Sequence, residues 1–301
     1  MKMTLRDWVM LVGLSVIWGG AFFFAAVAVK EVPPLTTVLL RVGIAALCLW
    51  VYYGLLGKII KMTPKLIGAF IIMGLINNAI PFSLLFWAQT SISSGLASIL
   101  NATTPIFAIL VGHFALADER MAVNKVLGVV LGMIGVAVLI GVDALNVQST
   151  ATWGMLACLG AALSYGCGTT FGRRFKAMGI EPGMVALGQL SGATLVLLPV
   201  VFWIDQPWTI DMPSWAAIGS ILGLAVLASA YAYLLYFKIL ASSGSVNATL
   251  VTLLVPVSAI LLGTFILGEQ LATKHFIGMG IIGLGLLAVD GRLLTWARSK
   301  I

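Results

Sequence analysis

Two apolar stretches of this chain carry the same polar signature. Ser98, Asn101 and Pro105 are spaced i, i+3, i+7, and Thr249, Thr252 and Pro256 repeat that spacing 151 residues later. On a helix such positions share one face. Hydroxyl and amide groups there suit recognition of the polar end of a small molecule, and polar groups in lipid are costly enough to turn that face inward. Each proline also frees a carbonyl one turn earlier, at Asn101 and Thr252, for a ligand or for a hinge. The competing reading is that these groups join neighbouring helices or bond their own backbone.

Further repeat-related pairs extend the pattern. Asn78 and Phe82 correspond to Ser229 and Tyr233 at an offset of 151, and Trp18 corresponds to Tyr165 at an offset of 147. Asn77 and Asn78 are adjacent near the middle of one stretch and point to different faces, so at least one should reach the interior. Together these residues predict an aromatic lining with a few amides and hydroxyls, suited to an amphipathic small molecule. For each aromatic alone, core packing is the blander alternative. Arg41 is the deepest charge, about 9 Å inside its stretch at about 1.5 Å per residue. Snorkelling to the interface accounts for it; attraction of a substrate carboxylate is the sharper reading.

The elements that must position these side chains are membrane helices. Charged residues are 9% of the 301 and hydrophobic ones 61%, with a mean hydropathy of +1.11. Such a chain cannot cover a soluble surface of its own size. Ten apolar stretches are each about 20 residues, the length that crosses the hydrocarbon: 8–29, 35–56, 66–88, 94–116, 123–142, 152–171, 182–204, 214–237, 245–267 and 276–294. The first, at 22 residues, is longer than the apolar core of a signal peptide, roughly 7–15 residues, and reads as a retained helix.

Fourteen of the 17 Lys and Arg residues fall at alternate ends of these stretches; Lys30 and Lys274 lie at the other ends and Arg41 within a stretch. Basic residues accumulate in cytoplasmic loops, so both termini are expected in the cytoplasm. Eight of the nine Trp residues lie at or near predicted helix ends; only Trp18 is deep. The net charge of +7 is spread over short connections rather than a patch, which argues against nucleic acid as a partner. Cys48, Cys158 and Cys167 lie in apolar stretches at spacings that fit no metal site. No cofactor is expected. The sequence contains no GxSxG, HExxH, paired aspartates within a span or nucleotide-binding loop, which argues against an enzyme, and no filter-like loop, which argues against a channel.

Residues 105–116 and 256–267 match at seven of twelve positions, and Gly128 and Gly135 meet Gly278 and Gly285 at an offset of 150. The fourth stretch therefore matches the ninth and the fifth the tenth. Two repeats are expected, 1–146 and 147–301, each of five helices. Five is odd, so the second copy enters the membrane inverted, an arrangement of secondary transporters. The fold class is all-α, polytopic, 5+5.

The 5+5 plan, the aromatic–Gly pairs Trp18-Gly19 and Tyr165-Gly166, and a mid-helix Pro followed by a terminal acid (Pro105 to Asp118-Glu119, Pro256 to Glu269) resemble the drug/metabolite transporter superfamily, EamA branch. Within it the chain is most similar to bacterial inner-membrane exporters of amino acids, aromatic ones included. The resemblance implies a central cavity lined by helices 1, 3, 4, 6, 8 and 9, with the fifth and tenth peripheral and often a homodimer contact. No carboxylate lies at mid-membrane in the sequence pattern, so movement down a gradient is expected rather than proton coupling.

Overall fold

A computed structural model describes residues 4–58, 61–116, 122–141, 149–243 and 250–290. Among these, ten helices follow one another: α1 (Leu5–Ala28), α2 (Pro34–Leu55), α3 (Pro64–Ala88), α4 (Ser94–Ala115), α5 (Val123–Ile140), α6 (Thr150–Ala177), α7 (Pro182–Ile204), α8 (Trp215–Ser243), α9 (Val251–Leu267) and α10 (Thr273–Asp290). Seven of them are long and apolar enough to cross a membrane; α9 and α10 are apolar and shorter, and α6, at 28 residues, is longer and more polar. Large apolar side chains such as Leu47, Val51, Leu195, Phe202 and Phe265 are exposed on the outside of the bundle. Lipid is the solvent that tolerates such a surface. The chain is a multi-pass membrane protein.

Local sequence sets the helix starts. Thr4 and Asp7 form a capping box at α1, the hydroxyls of Thr63, Ser93 and Ser214 cap α3, α4 and α8, and proline opens α2, α3 and α7. The expected stretch 152–171 is extended to Ala177, because Arg174 and Lys176 in the last turn favour its C-terminus. The expected start of the ninth stretch, residue 245, lies outside the described residues.

Glycines bring the two halves together in crossed pairs. Gly128 lies against Gly285, and Gly135 against Gly278. Each glycine thus meets the repeat counterpart of the other, the pattern that a two-fold axis between inverted copies produces. A second set repeats it: Gly19 of α1 lies against Ser258 and Ala259 of α9, and Gly166 of α6 against Phe107 and Ala108 of α4. A Cβ on Gly166 would sit 2.9 Å from the Ala108 nitrogen, so only glycine permits this approach.

The antiparallel helices α2 and α7 are tied at both ends. Asp205 accepts from the Thr36 N–H and hydroxyl, each at 2.7 Å, and Lys58 pairs with Glu181 at 2.8 Å. The second tie lies at the end that also holds Lys65, Lys125, Arg174 and Lys238, here called the basic end.

Candidate functional site

Two helices widen where the halves meet. α3 is π-helical over Leu75–Ala79 and α8 over Gly223–Tyr231, at corresponding positions of the repeat. In α3 the cause is Pro81, which has no N–H to offer the Asn77 carbonyl. The widened turn leaves the Ile76 carbonyl open to the Ser164 hydroxyl of α6, at 2.5 Å. In α8 the Ser229 hydroxyl returns to the Leu224 carbonyl at 2.9 Å.

These turns aim four repeat-related residues at one another. Asn78 Nδ2 donates to the Tyr233 hydroxyl at 3.2 Å, while Arg41 bridges the other two: its Nε donates to Ser229 Oγ at 2.9 Å and its guanidinium carbon lies 3.8 Å above the Phe82 ring centroid. Asn78 thus meets the counterpart of Phe82, and Arg41 joins Phe82 to the counterpart of Asn78.

Beside this cluster is a cavity of about 860 Å³. Of the expected residues, Trp18, Phe82, Ser98, Asn101, Pro105, Tyr165, Tyr233 and Thr252 line it. Trp18 packs on Tyr236 with centroids 5.6 Å apart, and Tyr165 meets Phe82 edge-on at 6.3 Å. Asn78, Ser229 and Pro256 do not line it: all three are buried, the first two behind its wall and Pro256 within α9. Thr249 lies outside the described residues. Asn77, not Asn78, faces the cavity, and its Nδ2 donates to Gln189 Oε1 of α7 at 3.1 Å.

Three further expectations change. The carbonyl freed by Pro105 accepts the Thr104 hydroxyl at 2.7 Å, so Asn101 presents its side chain rather than its backbone. Arg41 does not snorkel; it is 6% exposed and lines the cavity. The lining therefore includes α2, and at the basic end also Lys125 of α5 and Val289 of α10, in addition to the six helices anticipated. Gln89, Phe86 and Tyr236 line it too. Gln89 stood at a predicted helix end and gave no sign of facing inward. Tyr236, three residues after Tyr233, was the one detectable from spacing.

The electrostatics centre on Arg41. Taking a cation out of water costs several kcal/mol. A desolvated cation–π contact returns about 2 kcal/mol, and the Ser229 hydroxyl is neutral. Among the described residues no carboxylate pairs with Arg41. Gln89 Oε1 and Asn101 Oδ1, both on lining residues, have no hydrogen-bond partner among the described residues. The cavity therefore offers the Arg41 guanidinium deep within it, Lys125 at its basic end and aromatic walls, with two unpaired amide oxygens buried on lining residues.

A ten-helix bundle with crossed repeat contacts around an internal cavity has the architecture of a secondary transporter. The chain belongs to the EamA-like transporter family, which matches residues 8–141 and 152–289. It is 28% identical to "Uncharacterized transporter YoaV" of Bacillus subtilis over 97% of this chain and 98% of that one. It is also 28% identical to a "Probable amino-acid metabolite efflux pump" of Escherichia coli, over 99% and 98%. A solved crystal structure shares the fold with a TM-score of 0.65, at 18% identity over 96% of this chain and 98% of that one.

Proposed function

We propose that this protein is a carrier of the bacterial inner membrane that exports small amphipathic metabolites, amino acids including aromatic ones above all, by alternating access. The observation that carries this reading is the cavity where the two halves cross, walled by aromatics and dotted with amides. Its volume is in the range of small-molecule sites. The efflux-pump relative named for amino-acid metabolites points to the same substrate class. The basic end is assigned to the cytoplasm, with both termini, because Lys and Arg resist translocation.

Trp18, Phe82, Ser98, Asn101, Tyr165, Tyr233 and Thr252 are assigned to the substrate surface, with Thr249 beside them in sequence. Asn78 and Ser229 act behind it, holding Tyr233 and Arg41 in place. Pro105 and Pro256 serve as hinges. The lining runs to Lys125 and Val289 at the basic end, while Glu269 clasps Ser94 at the other, which fits a state facing the cytoplasm. The described carboxylates sit at helix ends or in connections, so the gradient of the metabolite is taken to drive export. The fold serves transport and no bond is made or broken.

Counterflow in proteoliposomes tests this. Liposomes loaded with unlabelled L-phenylalanine are expected to accumulate the labelled compound transiently and saturably, with little response to an imposed pH gradient. Linear, unsaturable flux supports a channel. Counterflow with amines or nucleosides but not amino acids moves the substrate class.

A further inference from the structure

We propose that Arg41 is the counter-ion for a substrate carboxylate, so that the cavity selects molecules carrying a carboxylate and discriminates against the amines that lack one. This deepens the carrier reading above and rests on it.

The argument begins with the two corresponding helices. α2 and α7 both open on proline, at Pro34 and Pro182, and the residue seven positions later is Arg41 in one and Gln189 in the other. Their contacts correspond as well. Arg41 reaches α8 at Ser229, and Gln189 reaches α3 at Asn77, beside the counterpart of Ser229. A neutral amide therefore suffices to join the helices in one half. The other half has a permanent cation in the same structural position, buried and lining the cavity. Helix packing does not account for that charge.

The guanidinium is held as a receptor would be held. Nε is committed to Ser229, the plane rests on Phe82, and Phe86 lies 5.7 Å away. Two contacts fix a side chain that otherwise loses several rotamers on binding, and the remaining N–H groups form the planar fork that matches a carboxylate. Gln89 and Asn101 on the lining each keep an amide oxygen buried without a hydrogen-bond partner, an acceptor for the N–H groups of an ammonium once a side-chain rotation exposes it. An amino acid supplies both charges, and its side chain has the aromatic wall.

The test is equilibrium binding to purified protein in detergent, by calorimetry, alongside counterflow. The probes are L-phenylalanine and L-leucine, with phenethylamine and isoamylamine as the analogues without carboxylates. The amino acids should bind at least tenfold more tightly than their amines. Arg41→Gln should weaken the amino acids at least tenfold, leave the amines within twofold, and Arg41→Lys should recover part of the loss. Equal binding of acid and amine by the unaltered protein overturns the assignment even if the Arg41 variants do not fold, as does binding of none of the four. Loss of both classes equally in Arg41→Gln also overturns it. Carboxylate-dependent binding without counterflow leaves Arg41 in its role and removes the transport reading instead; counterflow indifferent to the carboxylate does the reverse.

Discussion

Glu269, just beyond the end of α9, holds the first turn of α4 from across the bundle: one carboxylate oxygen accepts the Ser94 N–H at 2.8 Å, and the other accepts the Ser94 hydroxyl at 3.0 Å and the Gly95 N–H at 3.1 Å. Glycine at 263 makes room for it, since a Cβ there would strike the carboxylate. α4 and α9 carry the two matching polar faces, so this clasp joins the two elements that must separate for the cavity to open at that end.

Removing the clasp should therefore shift the conformational balance. A lost helix cap is worth about 1 kcal/mol, or roughly fivefold in an equilibrium constant. In a background without native cysteines, Glu269→Gln should raise the rate at which a membrane-impermeant reagent labels Ser98→Cys from the Lys/Arg-poor side by a few fold. An unchanged rate would mean that the clasp is merely a helix cap.

The crossed glycine contacts should be intolerant of side chains. Gly19→Val and Gly166→Val each force overpacking that costs about 1–3 kcal/mol. At about 2–4 °C per kcal/mol for a chain of 150–250 residues, both should melt several degrees lower in detergent. Gly54→Ala is the control, because nothing lies within 4 Å of a Cβ there. Equal melting of all three would show that the halves are less tightly joined than the contacts imply.

Tyr233→Phe should cost more than the size of the change suggests. The hydroxyl is the acceptor for Asn78 Nδ2, and Asn78 is fully buried. An orphaned buried donor costs about 1–3 kcal/mol. The double variant Tyr233→Phe with Asn78→Leu should recover part of the melting temperature, since it removes donor and acceptor together. If the double variant is no more stable than Tyr233→Phe, the two residues are not coupled in this way.

Glu31 predicts a dependence on acidity. The Ser214 backbone N–H, followed by the Ser214 hydroxyl, holds its carboxyl below the ordinary value of 4.5. A carboxyl whose pKa is lower in the folded protein stabilises it at pH values above the unfolded pKa. That contribution should be lost as the pH falls from about 4.5 through the lowered value. The melting temperature of the unaltered protein should fall over that window by more than that of Glu31→Gln. Parallel curves would place the acid sensitivity elsewhere.

Much of this architecture was legible because it is written in spacing. The glycines at 128, 135, 278 and 285 sit in corresponding positions, and correspondence plus inversion is enough to pair them across the axis. Side-chain direction was less accessible. The repeat offset to Ser229 marked Asn78 as the lining amide, but an offset does not give a side chain's direction, and across the widened turn at Leu75–Ala79 Asn77 looks into the cavity while Asn78 meets Tyr233. Arg41 was visible as a deep charge, yet hydropathy does not say which way α2 turns, and snorkelling was the cheaper guess. The fate of the Asn101 carbonyl was decided by Thr104, a local contact that attention to Pro105 alone passes over.

Three acids of the Lys/Arg-poor end share a habit. Asp205 receives the Thr36 N–H in the first turn of α2, Glu269 the Ser94 and Gly95 N–H groups of α4, and Glu31 the N–H of Ser214, the cap residue of α8. Each negative charge meets the positive pole of a helix dipole instead of an ammonium group. That end can thus hold its carboxylates without recruiting lysines to neutralise them. Because orientation during insertion responds to where the cations lie, this way of balancing charge leaves the biosynthetic signal for topology undiluted.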